Sequence, residues 1–177
     1  TNQKKDAPSL EEEEFQLVWN DEFDTDGRPD STKWSYDLGG HGWGNKESQY
    51  YTDRIENARI ENGILIIEAI METYDSSEYT SARIDTKKKG DWKYGRIEVK
   101  ARIPNGTGTW PAIWMLPTLD KRMSWPLDGE IDIMEHVGFN EGHVHGTVHT
   151  EAYNHNKGTQ KGGEITINDV ADTFHVY

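Results

Sequence analysis

The sequence contains no cysteine. Disulfides, cysteine-ligated zinc and thiol catalysis are thereby excluded, although the compartment is left open. Long hydrophobic runs are lacking too. The longest, Gly63 to Ile67 with its flanks, is far too short for a bilayer-spanning helix, and no membrane insertion is expected. Basic residues are scarce, 19 Lys and Arg against 32 Asp and Glu, for a formal net charge of −13. A field of that sign repels phosphate backbones and sulfated polymers. No nucleic-acid partner is expected, and neutral substrates or cations are favoured. The opening residues carry no charged segment followed by an apolar one, so no signal peptide is read there.

What the chain does have is aromatic surface: seven tryptophans, eight tyrosines and four phenylalanines. Indole rings fill cores, but they also make flat platforms for the C–H faces of sugars. The 177 residues suffice for one buried core and argue against a second full domain. Residues 1–14 are polar, end in Glu11 to Glu14 and read as a flexible acidic arm or linker. Residues 15–177 read as the folded, chemically active domain, beginning where Phe15, Leu17 and Trp19 alternate with polar neighbours.

Period two dominates that domain. Residues 94 to 103 set Ile97, Val99, Ala101 and Ile103 against Arg96, Glu98, Lys100 and Arg102, the pattern of a half-buried strand. Turn signals separate such runs at Asp26-Gly27, Gly39-Gly40, Asn62-Gly63, Asn105-Gly106 and Gly162-Gly163. No segment shows an apolar face at helical spacing. Many short strands with frequent turns predict an all-β sandwich or jelly roll.

The segment Asp128 to Val137 concentrates the chemistry. Alternation along a strand turns Ile131 and Ile133 inward and Glu130 and Asp132 outward. A regular strand would then put Met134, not Glu135, on the acidic face. One extra residue, a β-bulge, restores Glu135 to it and avoids burying an unpaired carboxylate. Three carboxyl groups crowded together cannot all ionise at neutral pH, so at least one pKa should rise. A carboxylic acid beside a carboxylate is the requirement of glycoside hydrolysis. Glu130 is cast as nucleophile, Glu135 as acid/base, and Asp132 as the group that tunes and orients Glu130. Two glutamates from one strand suit the short separation of a retaining enzyme.

Other candidates surround this strand. Trp110 and Trp114 share one face, opposite Ile113 and Met115, and suit stacking on neighbouring sugars. Trp125 precedes Glu130 in a rim loop. His143, His145, Thr147 and His149 alternate along another strand. His149 is expected beside the carboxylates, hydrogen-bonding Glu135 or substrate. A metal site made of His143, His145 and His149 is the weaker reading. Asn45 and Gln49 suit neutral hydroxyl groups, and Arg83 is a cleft cation.

The run Glu-Ile-Asp-Ile-Met-Glu-His-Val-Gly (130–138) closely resembles the catalytic signature of glycoside hydrolase family 16, in its laminarinase branch of endo-1,3-β-glucanases. Trp43 to Tyr51, Asn62 to Leu65, Thr109 to Pro117 and His145 to His149 follow in the family's order. The resemblance implies a β-jelly-roll sandwich of two antiparallel sheets with a concave substrate cleft, and hydrolysis with retention. By motif position it implies Glu130 as nucleophile, Asp132 as assisting residue and Glu135 as acid/base. Asn45, Arg83, Trp110, Trp114, Trp125 and His149 match positions that line the glucan cleft. Catalysis would need no cofactor. One structural calcium on the convex side is implied, with Glu22 and Gly63 resembling contributors to it. Family domains run further than Tyr177, so a fragment without its C-terminal strands is expected.

The expected activity is endo-acting cleavage of β-1,3-glucan, with laminarin or mixed-linkage β-glucan as the partner of a secreted monomer. Polymeric glucan lies outside most cells, which is the ground for secretion. A galactanase of the same fold, such as a β-agarase, is the nearest rival, and a non-catalytic carbohydrate-binding protein is another.

Overall fold

The computed structural model describes residues 15–177; the acidic arm at 1–14 lies outside the described residues. The chain divides into two units, one ending at Gly95 and one running Arg96–Tyr177.

Among the described residues, the first unit holds seven short strands: β1 (Ser35–Asp37), β2 (Gln49–Tyr51), β3 (Ala58–Glu61), β4 (Ile64–Ile67), β5 (Ile70–Tyr74), β6 (Ser77–Ser81) and β7 (Arg83–Asp85). They pair as β1–β7, β3–β4 and the ladder β2–β6–β5. All pairs are antiparallel except β2 with β6, which run parallel. The β3–β4 hairpin turns on Asn62-Gly63, with φ of 53° and 74°. Positive φ at both central residues matches the twist of the flanking strands, which is why Asn-Gly serves there. A buried polar knot sits nearby: Asn57 donates to Thr80 Oγ1 (2.9 Å) and to the Glu68 carbonyl (3.1 Å). Three tryptophans of this unit are structural, with Trp19 edge-on to Trp34 and Trp92 at 5.8 and 5.4 Å.

The alternation at Phe15, Leu17 and Trp19 does not yield a strand. No ladder forms there, and Phe15 and Leu17 are exposed. Side-chain periodicity needs a neighbouring backbone before it becomes a sheet.

The second unit holds β8 (Lys100–Ala101), β9 (Ala112–Met115), β10 (Glu130–His136), β11 (His143–His149), β12 (Lys161–Thr166) and β13 (His175–Val176), with a single 3₁₀ turn at His155–Lys157. Four strands make one antiparallel sheet in the order β12-β11-β10-β9. The strand expected over 94–103 is much shorter, because β13 offers only two residues for β8 to pair with. Two Val99–Tyr177 backbone bonds of 3.0 Å extend that ladder by one step. The core of this unit gathers Ile103, Met134, Val144 and Val170. Gly162-Gly163, expected as a turn, instead lies inside β12. A side chain at Gly162 would meet the Gly146 carbonyl at 2.4 Å, so glycine there permits close strand approach.

Candidate active site

Register on β10 decides which side chains share a face. Glu130, Asp132 and Glu135 lie opposite His149, Thr147 and His145 on β11. On the other side Asp132 lies opposite Trp114, and Glu135 opposite Ala112 of β9. Directly opposed residues of an antiparallel pair point the same way. All three acids therefore stand on one face.

A break in register makes this arrangement possible. Between Asp132 and Glu135 the ladder shifts, and Ile133 and Met134 together oppose Gly146. The extra residue bends the strand and returns Glu135 to the acidic face. It also corrects the inward set. Met134 is the core residue at 1% exposed, while Ile131 is 47% exposed and Ile133 is taken up by the bulge.

Crowding acts most strongly on Asp132. Burial first, then the charges of Glu130 and Glu135 and a hydrogen bond with Glu130, pushes its carboxyl up to about 7. Three crowded carboxyl groups require one raised acid, and Asp132 is that residue because it is buried. Trp110 donates its indole N–H to Glu135 Oε1 at 3.0 Å, holding that carboxylate while the ring stays exposed.

His149 faces Asp132 and Glu130 instead of the expected Glu135, since register places it opposite Glu130. Its Nε2 is 3.3 Å from Asp132 Oδ2 and 4.0 Å from Glu130 Oε1. Burial, then nearby His155, lowers its pKa, which favours the neutral imidazole. Trp125 packs on this histidine at 5.6 Å and on His155 at 4.6 Å. His155 carries no periodic signal in the sequence. His143 and His145 turn to Glu164 on β12, with Nδ1 contacts of 2.6 and 3.5 Å. Among the described residues, the cluster of three metal-ligating groups is Glu130, Asp132 and His149, not the three histidines.

Asn45 and Arg83 belong to the first unit. Asn45 donates to Glu47 Oε1 at 3.4 Å, and Glu47 also accepts from Gln49 (2.6 Å) and the Tyr51 hydroxyl (3.0 Å). Arg83 pairs with Asp37 at 2.8 Å and lies over the Trp43 ring at 4.7 Å. Glu47 and Trp43, which hold these two side chains, lie within the 43–51 run that follows the family's order. Glu22 accepts from Asn20 at 3.3 Å, and Gly63 stands at the tip of the β3–β4 turn. A carboxylate and a carbonyl are the right donors for calcium, but they are two of the six to eight it takes.

Residues 42–177 match the glycosyl hydrolases family 16. The chain belongs to that family. It is 62% identical over 166 residues to a beta-glucanase of Rhodothermus marinus, covering 92% of this chain and 58% of that protein. The X-ray structure of the laminarinase from Rhodothermus marinus superposes with a TM-score of 0.89 at 61% identity, over 93% of this chain and 66% of that one. A mutant of SCLam, a non-specific endo-β-1,3(4)-glucanase of the family, reaches the same TM-score of 0.89 at 46% identity. It covers 93% of this chain and 67% of that one, and holds 1,3-β-D-cellobiosyl-glucose at its active site. The chain thus spans 58% of the length of its beta-glucanase relative. Its fold class is the family 16 jelly roll.

Proposed function

We propose that this family 16 chain carries the catalytic site of an endo-β-1,3-glucanase, a laminarinase, that hydrolyses internal bonds with retention. The observation that carries the reading is the bulge in β10, which sets Glu130, Asp132 and Glu135 on one face beside Trp110 and Trp114. A plain acidic strand has no need of it.

In the first step Glu130 attacks the anomeric carbon while Glu135 gives its proton to the departing glycosidic oxygen. The carbon–oxygen bond to the leaving sugar breaks as the glycosyl ester forms. In the second step Glu135 takes a proton from water, the hydroxide oxygen bonds to the anomeric carbon, and Glu130 departs as carboxylate. Asp132, hydrogen-bonded to Glu130, orients the nucleophile. Trp110 keeps Glu135 in place through both proton transfers. Trp114 and Trp125 offer stacking surfaces to neighbouring sugars.

The finer parts of the reading are also proposals. The substrate is neutral laminarin or a mixed-linkage glucan, the protein acts as a monomer, and it works outside the cell. One calcium held by Glu22 and the Gly63 carbonyl, with further oxygen ligands, would add stability without entering catalysis. A melting temperature that EDTA leaves unchanged would remove the calcium from this account. The main test is release of reducing ends from laminarin and from agarose, with Glu130→Ser alongside. Laminarin cleavage that disappears in Glu130→Ser is expected; cleavage of agarose alone would overturn the substrate.

A further inference from the structure

The face that carries the acids also has the makings of a cation site. Glu130, Asp132 and His149 each offer one ligand atom, and those atoms all lie within 4.8 Å of one another. Zinc bound to nitrogen and oxygen at about 2.0–2.2 Å in tetrahedral geometry sets its ligand atoms about 3.4 Å apart. His149 Nε2 and Asp132 Oδ2, 3.3 Å apart, already have that spacing. Glu130 Oε1, at 4.0 Å from the same nitrogen, would need to approach by roughly 0.6 Å, a small rotation of its side chain.

A second observation points to a ligand. Asp132 is 5% exposed and His149 is 6% exposed. Asp132 Oδ2, aimed at the imidazole, accepts no hydrogen bond, although His149 Nε2 stands 3.3 Å away. Buried polar atoms without hydrogen bonds are costly, and a cation seated between the carboxylates and the ring would satisfy this oxygen. The donor set also selects the ion. One imidazole and two carboxylates suit zinc with its fourth position open, whereas calcium takes six to eight oxygens and magnesium keeps a near-octahedral, water-rich shell.

We propose that Glu130, Asp132 and His149 bind a zinc ion reversibly, and that the ion blocks the reactive face by engaging the Glu130 carboxylate. The three side chains carry this inference whatever polysaccharide the protein cleaves. A bound zinc would withdraw the Glu130 lone pair from nucleophilic attack, so it acts as an inhibitor.

The rival location for zinc is the half-exposed set of His143, His145 and Glu164. Calorimetric titration of the full chain with zinc chloride separates the two. Wild type is expected to bind one ion, His149→Gln and Asp132→Asn to bind at least tenfold more weakly, and His143→Gln to bind as wild type. No binding by wild type, full binding by His149→Gln, or loss in His143→Gln would each overturn the proposal. A second measurement needs no variant: the imidazole proton resonances of His149 should shift at substoichiometric zinc, before those of His143 and His145. The reverse order would equally overturn it.

Discussion

Asp132 is a carboxylic acid placed where ionisation is opposed from several directions. Its pKa moves from an ordinary 3.8 to about 7, chiefly through burial. Below pH 4 the folded and unfolded chains both hold this proton, and its contribution to stability is complete. Between pH 4 and 7 the unfolded chain has released it while the folded chain has not, so stability from this residue declines as pH rises. Above 7 both are ionised and the decline ends. The melting temperature of Asp132→Asn should therefore fall less than that of wild type between pH 4 and 7. Parallel curves for the two proteins would mean that Asp132 does not titrate in that window. The glutamates differ in what can replace them. Glu135→Ala should lower kcat by about 10²–10⁴-fold. Azide attacks without a general base, so it should restore turnover of an aryl β-glucoside by Glu135→Ala and give the β-glycosyl azide. Glu130→Ala with azide should give the α-product instead. Products of the opposite configuration would exchange the two roles. At this scale the sequence was informative about residue type and poor about direction. It named the three acids and His149, yet the partner of His149 followed from strand register, which a lone sequence does not contain.

At the scale of elements the bulge in β10 governs the site. Its presence was legible because burying Glu135 unpaired would have cost more than one irregular residue. Removing Ile133 leaves Glu-Ile-Asp-Met-Glu, whose plain alternation keeps Glu130, Asp132 and Glu135 on one face and turns Met134, already 1% exposed, inward. The deletion variant should therefore fold and retain turnover. A folded deletion variant without turnover would show that the bend of the bulge, and not the shared face alone, sets the carboxylate geometry. The loop after β10 gives a second case. A methyl group on Gly138 would meet the Gly106 carbonyl at 1.9 Å, and the Gly138 amide donates to Thr109 at 2.9 Å. The Gly106 carbonyl is backbone and cannot step aside, so Gly138→Ala should destabilise by about 1–3 kcal/mol or more. An unchanged melting temperature would show that the loop yields. Turn signals proved unequal for a physical reason. Asn62-Gly63 takes two positive φ angles that only such residues accept readily, whereas Gly162-Gly163 serves strand proximity, which local sequence does not distinguish from a turn.

At the scale of the whole molecule the all-β class was plain from period two and frequent turns. The parallel pairing of β2 with β6 was not, since a strand's own residues do not state the direction of its neighbour. Periodicity was limited in another way as well. It says which side chains share a face, but not whether another layer covers them. Ile131 and Val148, directly opposed, are 47% and 40% exposed, and Ile165 is 60% exposed on β12. These residues form apolar surface on the reverse of the acidic face, the kind that binds amphipathic dyes. The dye anilinonaphthalene sulfonate should therefore fluoresce with the folded 177-residue chain. Its sulfonate is repelled by a net charge of −13, so the signal should grow as salt shortens the screening length from about 30 Å at 0.01 M to about 10 Å at 0.1 M. Ile131→Thr with Ile165→Thr should reduce it at every salt concentration. A folded chain that binds no dye at either concentration would show that these side chains are covered in solution, and the double variant would then change stability instead of fluorescence.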